Sequence, residues 1–373
     1  MNLRAACVSV LMTLSARAMG ADIVVGQVAQ IGDSNLVGAQ LKRGAEICFA
    51  AVNRSGGIQG RPLRLVARNR ESSDADALSK TRALLDEVKP VAMLNLVGTS
   101  AMDALVKNKL FDSAQVPVVG IRSGASSLHA PTHPWLFHTR ANYAAEVGKV
   151  LRHFATIGVK RVAFVHESSP FGQEVSRHVD ALMPMVGLTL AARATLEPSA
   201  VAGASAVDPI VKAQPEAVLI AASSFATADF YKGVRAKGSS AHVIALSTTD
   251  GAQVVQRIGA AAAHGLGIAQ VVPDPATRTT KIAREFQEEM KASGARPQDM
   301  NQGVLEGFIA AKVLVEGLRR AGPDTSGPRL RTALEGVRNH DVGGFIVSFS
   351  PASHSGSQFV DIAILNRDGK MLR

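Results

Sequence analysis

An α/β fold of two doubly wound parallel-sheet lobes, joined by a hinge of three chain crossings, is what this sequence predicts. From Ile23 onward, short apolar runs alternate with stretches of helical periodicity, as parallel strands joined by crossover helices do. The alternation runs twice, in two series of similar length. At 373 residues the chain is also long for one core of ordinary size and suits two.

The first series predicts strands over 23–28, 63–67, 91–97 and 116–121, separated by helices over 38–52, 73–88 and 101–113. In the first helix Leu41, Gly44, Ala45, Cys48 and Val52 share one small apolar face, while Lys42, Arg43 and Glu46 point elsewhere. Gly56 and Gly57 supply the backbone freedom a helix end needs, and Gly60 with Pro62 closes a turn before the alternation Leu63, Leu65, Ala67. Arg64, Arg68 and Arg70 fall on even positions of that strand, a charged row that marks a sheet edge.

Residues 129–140 carry two prolines and no period, which suits a first crossing. The second series predicts strands over 161–166, 188–195, 217–222, 243–247 and 265–271, with helices over 143–156, 171–183 and 225–237. Pro273 and Pro275 mark a second crossing, helices follow over 277–293 and 300–320, and a third crossing falls near 341–351. A strand over 359–365 and a turn over 366–370 end the pattern. The expected division is an export signal over 1–21, a first lobe from 22–141 with 273–346, and a second from 142–272 with 347–373.

Composition narrows the function. No apolar run approaches the roughly 20 residues that span a bilayer, and the chain is 46% hydrophobic and 19% charged. Arg4, an apolar stretch over 5–14 and small residues before Asp22 read as an export signal, cleaved after Ala18 or Ala21. Without that segment Cys48 is the only thiol, so no intrachain disulfide forms; on its apolar face it reads as a core residue. The net charge of +10 falls to +8 from Asp22 onward, because Arg4 and Arg17 lie before it. That balance raises nucleic acid as a partner, but there is no Lys/Arg run and no helix-turn-helix, and only 4% of residues are aromatic.

Enzyme readings find no support in the motifs. His129, His133 and His138 lie in a proline-rich crossing with no cysteine or paired carboxylate, which argues against a metal site. There is no Gly-x-Ser-x-Gly elbow, no phosphate-binding loop and no strand-linked Gly-x-Gly-x-x-Gly. No catalytic residue and no cofactor is therefore assigned.

In a parallel α/β sheet, ligands bind beyond the carboxyl ends of the strands. Thr99 and Ser100 follow strand 91–97 at a helix start, where an anion is favoured; plain N-capping is the alternative role. Ser123 and Gly124 follow strand 116–121, with glycine allowing a ligand close to backbone N–H groups; an ordinary polar turn is the alternative. Phe171 opens a second-lobe helix and either covers a ligand or staples that helix. A ligand ammonium needs an anion, and Asp250 after strand 243–247 is the candidate, with an N-cap as its other reading.

Asn53, Gly56, Gly57, Ile58, Gly60 and Leu63 together resemble the first βαβ unit of the type I periplasmic substrate-binding proteins, in the branched-chain amino acid binding group that serves ABC transporters. The resemblance extends over nearly all of the chain after residue 21. It implies lobes that close over a ligand whose carboxylate is held by hydroxyls of the loop at Thr99 and Ser100. Ser123, Gly124 and Ala125 match the family's Thr-Gly-Ala loop, and Phe171 with Gly172 its aromatic-glycine pair. Tyr143 follows Arg140 at the family's Arg-x-x-Tyr spacing, and Asp250 aligns with the acid that holds the ligand ammonium. The chain departs where such binders place a tyrosine after strand 217–222: Ser223 and Ser224 stand there, with Phe225 next, so Ser224 enlarges or re-equips the pocket. The implied function is an exported, monomeric binding protein that delivers an amino acid or related small carboxylate to an ABC permease. Aliphatic, aromatic and dicarboxylic ligands and amides stay open. A ligand sensor of the same fold is the alternative, and an enzyme on this scaffold a remoter one.

Overall fold

The computed structural model describes residues 21–33, 37–197, 205–296 and 299–372; all of the expected export signal except Ala21 lies outside them. Among the described residues fourteen strands run in chain order: β1 Ile23–Ala29, β2 Leu63–Asn69, β3 Ala92–Leu94, β4 Val118–Val119, β5 Leu136–Phe137, β6 Arg161–Glu167, β7 Thr189–Leu196, β8 Ala217–Ala221, β9 His242–Ala245, β10 Gly267–Gln270, β11 His340–Asp341, β12 Ile346–Val347, β13 Asp361–Leu365 and β14 Met371–Leu372. The first sheet has the order β2-β1-β3-β4-β5 and is parallel throughout. The second has the order β14-β13-β10-β9-β8-β6-β7, parallel except that β13 runs antiparallel to both of its neighbours, β10 and β14. Two parallel-sheet lobes of an α/β fold are thus present, as the sequence predicts.

The local differences have local causes. β5 lies inside the segment read as a crossing, because Leu136 and Phe137 form too short an apolar pair to show a period, although both are buried. The helix expected over 101–113 is two, Thr99–Lys107 and Leu110–Ala114, broken where Lys109 takes a left-handed φ of 51°. β2 is an edge strand, with Arg64 and Arg68 paired to Asp22 at 2.9 Å and Glu87 at 2.6 Å. Arg70 leaves that row: it is 7% exposed and donates to the carbonyls of Glu71 and Val97 at 2.7 and 2.9 Å. Toward the carboxyl end, Val347 and Phe349 pack with Val25, Ala92 and Phe137 of the first sheet, and the chain joins the second sheet at β13.

Two glycines set the tightest helix contact. Helix Val37–Arg54 crosses helix Gln302–Ala321 so closely that a Cβ on Gly44 would stand 1.9 Å from the Val304 carbonyl oxygen, and one on Gly307 would stand 2.2 Å from that of Leu41. Any larger side chain would drive the backbones apart. Asn301 caps the second helix by accepting the Val304 N–H at 3.0 Å, and residues from both helix starts line the space between the lobes.

Charge ties the lobes at the hinge. Arg140, just after β5 and 1% exposed, reaches Glu146 at 3.0 Å on helix Tyr143–Thr156 and Glu306 at 3.3 Å on helix Gln302–Ala321. It also donates to the Ser247 hydroxyl, whose own backbone N–H donates to Glu146 at 2.9 Å. Burial opposes the Arg140 charge, but the Glu306 and Glu146 carboxylates outweigh it and hold the guanidinium above its ordinary range. Beside the hinge, the rings of His129 and His138 stack at 3.8 Å, while His354 holds the carbonyls of His133 and Leu136 at 3.0 Å each. Burial pushes the His129 imidazole down to about 4, against a hydrogen bond with the Ser123 backbone that works the other way, and lowers His138 and His354 as well.

Three expectations follow from this packing. Gly44→Val is expected to lose about 3 kcal/mol of stability by overpacking, read as a fall in the urea midpoint. Arg140→Met leaves Glu146 buried without its cation, while Glu306 keeps Arg122 at 3.1 Å, and is expected to cost about 4 kcal/mol; adding Glu146→Gln should return part of that loss, and a loss that stays the same would show that charge is not the cause. The folded-state value of His129 lies below its unfolded value of 6.5, so the unfolded chain binds more protons between them. Stability should therefore fall as pH drops from 6.5 toward 4, with about 3 kcal/mol of the loss due to this ring and missing in His129→Gln when the urea midpoints are compared.

Candidate functional site

Between the lobes lies a cavity of about 600 Å³. The first lobe supplies Val37 and Gln40 from the start of helix Val37–Arg54, Arg122 from the loop after β4, and Asn301, Gln302, Gly303 and Glu306 from the start of helix Gln302–Ala321. The second lobe supplies Ser223 and Ser224 after β8 and the loop from Ser247 to Asp250 after β9, and Asp274 lies on the crossing that leaves β10, beyond Val272, which packs in the first-lobe core. These second-lobe loops leave the carboxyl ends of parallel strands, where helix starts present polar groups.

Asp250 organises the wall. Its Oδ1 accepts the Ala252 N–H at 2.8 Å and so caps helix Gly251–Ile258, the structural role also foreseen for it. Its Oδ2 accepts the side-chain amide of Gln40 at 2.9 Å, which links the lobes across the gap. Its backbone N–H donates to the Ser224 hydroxyl at 2.9 Å, so these two candidates share one corner of the cavity. Arg122 contributes a guanidinium that is already engaged, with Glu306 at 3.1 Å and the Ser247 carbonyl at 2.8 Å.

The other six candidates lie off this wall. Thr99 and Ser123 are both buried and hydrogen-bond to each other through their hydroxyls at 2.8 Å. Neither Thr99 nor Ser100 acts as the helix cap: Gly98 occupies that position, and the Ser100 hydroxyl donates to Asp74. The Gly124 carbonyl accepts the Tyr143 N–H at 2.9 Å, and a Cβ on Gly124 would stand 2.6 Å from that nitrogen, so glycine is required by the close approach. Tyr143 is buried with its ring 5.0 Å from that of Phe171. These residues form a filled contact between the lobes, bounded by Ser126, which donates its N–H to Glu174 at 2.9 Å and bonds His178 at 3.1 Å. Burial would raise the Glu174 carboxyl, but the Ser126 hydrogen bonds together with Arg177 and His178 draw it down to about 2.

Sequence reasoning did not single out Gln40, Arg122, Asp274, Gln302 or Glu306. One signal was available for Glu306: it is the lone charge in the otherwise apolar run from Gly303 to Ala311. A carboxylate there needs a partner once that helix packs. Glu146, on a face shared with Tyr143, Val147 and Val150, carries the same mark.

A family model for periplasmic binding proteins matches residues 23–370. Among solved structures, a substrate-binding periplasmic protein from Ralstonia solanacearum is 33% identical, with a TM-score of 0.87 over 94% of this chain and 99% of that one. An extracellular ligand-binding receptor from Verminephrobacter eiseniae is 29% identical, with a TM-score of 0.86 over 94% of this chain and all of that one. A branched-chain amino acid ABC transporter structure from Thermus thermophilus with bound valine has a TM-score of 0.83 at 18% identity, over 94% of each chain, a likeness of fold. No curated protein sequence matches. With the family model spanning both sheets and a relative one-third identical over almost its whole length, this chain belongs to the periplasmic binding proteins.

Proposed function

We propose that this protein captures an amino acid or related small carboxylate between its lobes and passes it to an ABC permease after export to the periplasm, acting as a monomer. The observation that carries this reading is the cavity of about 600 Å³, with Asp250 on one side and the start of helix Gln302–Ala321 on the other. A carboxylate presented to one solute ammonium suits an amino acid. Thr99, Ser100 and Ser123 remain the proposed contacts for the solute carboxylate, with Tyr143 and Phe171 over its apolar part. In that role the bond between Thr99 and Ser123 is exchanged for bonds to the solute when the lobes part and close again. Ser224, in place of an aromatic ring, leaves room beside Asp250 for a longer or more polar side chain.

Thermal-shift screening of the purified chain against amino acids, small carboxylates, sugars and nucleotides tests the proposal. A tight solute at 100-fold its dissociation constant should add about 2.7 kcal/mol. Stabilisation by at least one amino acid or carboxylate is expected. Stabilisation by neutral sugars or nucleotides alone would reject the reading.

A further inference from the structure

Positive charge on the cavity wall is already spent. Arg122 is held by Glu306 at 3.1 Å, and behind it Arg140 is held by Glu306 and Glu146, so two arginines face two glutamates. Lys370 is the remaining cation on the lining, and it is exposed. Against this stand Asp250 and Asp274, carboxylates that line the same cavity and have no ion-pair partner among the described residues. Asp274 is 6% exposed, and its Oδ1 accepts only the Ala276 N–H at 2.9 Å. Gln302 adds a further acceptor, for its Oε1 is buried on this wall with no hydrogen-bond partner among the described residues.

Such a lining favours a cationic occupant. A carboxylate taken from water without a cation costs several kcal/mol, and an orphaned acceptor adds about 1 to 3 kcal/mol. A bound group that brings positive charge and N–H donors relieves both terms. One ammonium satisfies Asp250; Asp274, on a different loop, calls for a second. The volume of about 600 Å³ accommodates an extended solute with a charge at each end.

We propose that the cavity selects a solute carrying two cationic nitrogens separated by a short alkyl chain, as in a basic amino acid or a diamine, with one nitrogen at Asp250 and the other at Asp274. The proposal rests on the solute-binding reading above and names the chemistry of its ligand. A neutral aliphatic amino acid would leave Asp274 without a counter-charge and so binds less tightly.

Isothermal titration of the purified chain with L-lysine, L-ornithine, 1,4-diaminobutane, L-leucine and benzoate tests it. At least one dicationic probe is expected to bind 100-fold more tightly than L-leucine, and comparison of the amino acids with the diamine shows whether the solute also needs a carboxylate. The isosteric Asp274→Asn keeps the bond from Ala276 and should shrink the ratio of dicationic to leucine affinity by at least 30-fold, with a melting temperature of the free protein no lower than that of the parent chain showing that the fold is intact. L-leucine or benzoate binding as tightly as every dicationic probe would overturn this proposal while leaving the solute-binding reading in place. An unchanged affinity ratio in Asp274→Asn would do the same. Failure of every probe to bind, together with a thermal screen in which no amino acid or carboxylate stabilises the chain, would remove both.

Discussion

Arg140 lies at 1% exposure between Glu146 at 3.0 Å and Glu306 at 3.3 Å, one carboxylate from each lobe. A guanidinium at that depth is tolerable only with its counter-charges in place, because desolvation of an unpaired ion costs several kcal/mol. The two helices carrying the glutamates therefore have to converge on the strand exit that carries the arginine. Through Ser247, which bonds both Arg140 and Glu146, the same requirement sets the start of the loop that ends at Asp250. The lobes thus meet at a defined separation, and the cavity is what that separation leaves open.

Close helix packing supplies the rest of the first-lobe wall. Because Gly44 and Gly307 let the backbones of helices Val37–Arg54 and Gln302–Ala321 nearly touch, Gln40 and Glu306 arrive on one surface although they are far apart in the chain. Gln40 then spans the gap to Asp250. On the other side of the cleft, Thr99 with Ser123 and Tyr143 with Phe171 satisfy one another, so the polar and aromatic groups there are engaged internally. A two-lobed binder can exchange such internal contacts for solute contacts only by opening, which is the role the hinge proposed here would have.

Much of this was legible in the chain. The alternation of period 2 and period 3.6 placed the long elements, and the charged row on β2 marked an edge before any pairing was known. Asp250, singled out because a ligand ammonium needs an anion and a loop after a parallel strand is the general position of a ligand site, lines the cavity. What escaped was of another kind. The two apolar residues of β5 were too few to show a period, and Arg70 looked like its neighbours yet turned inward to the carbonyls of Glu71 and Val97. Asp274 sat beside two prolines and read as part of a crossing, with nothing local to say that it would be buried on a cavity wall.

By itself the amino-acid sequence determined the α/β class, the two series of strands and the glycine-rich helix stop that marks the family, since these follow from periodicity and from backbone freedom over a few residues. Only the tertiary structure decided which polar side chains share a wall and which consume each other. Gln40 and Asp250 are 210 positions apart, and Arg122 and Ser247, another pair that bridges the lobes, are 125 apart. Their meeting depends on how closely two helices pack and on where a buried arginine finds its carboxylates. Local pattern carries no information about either, because both are settled by long-range packing and charge compensation.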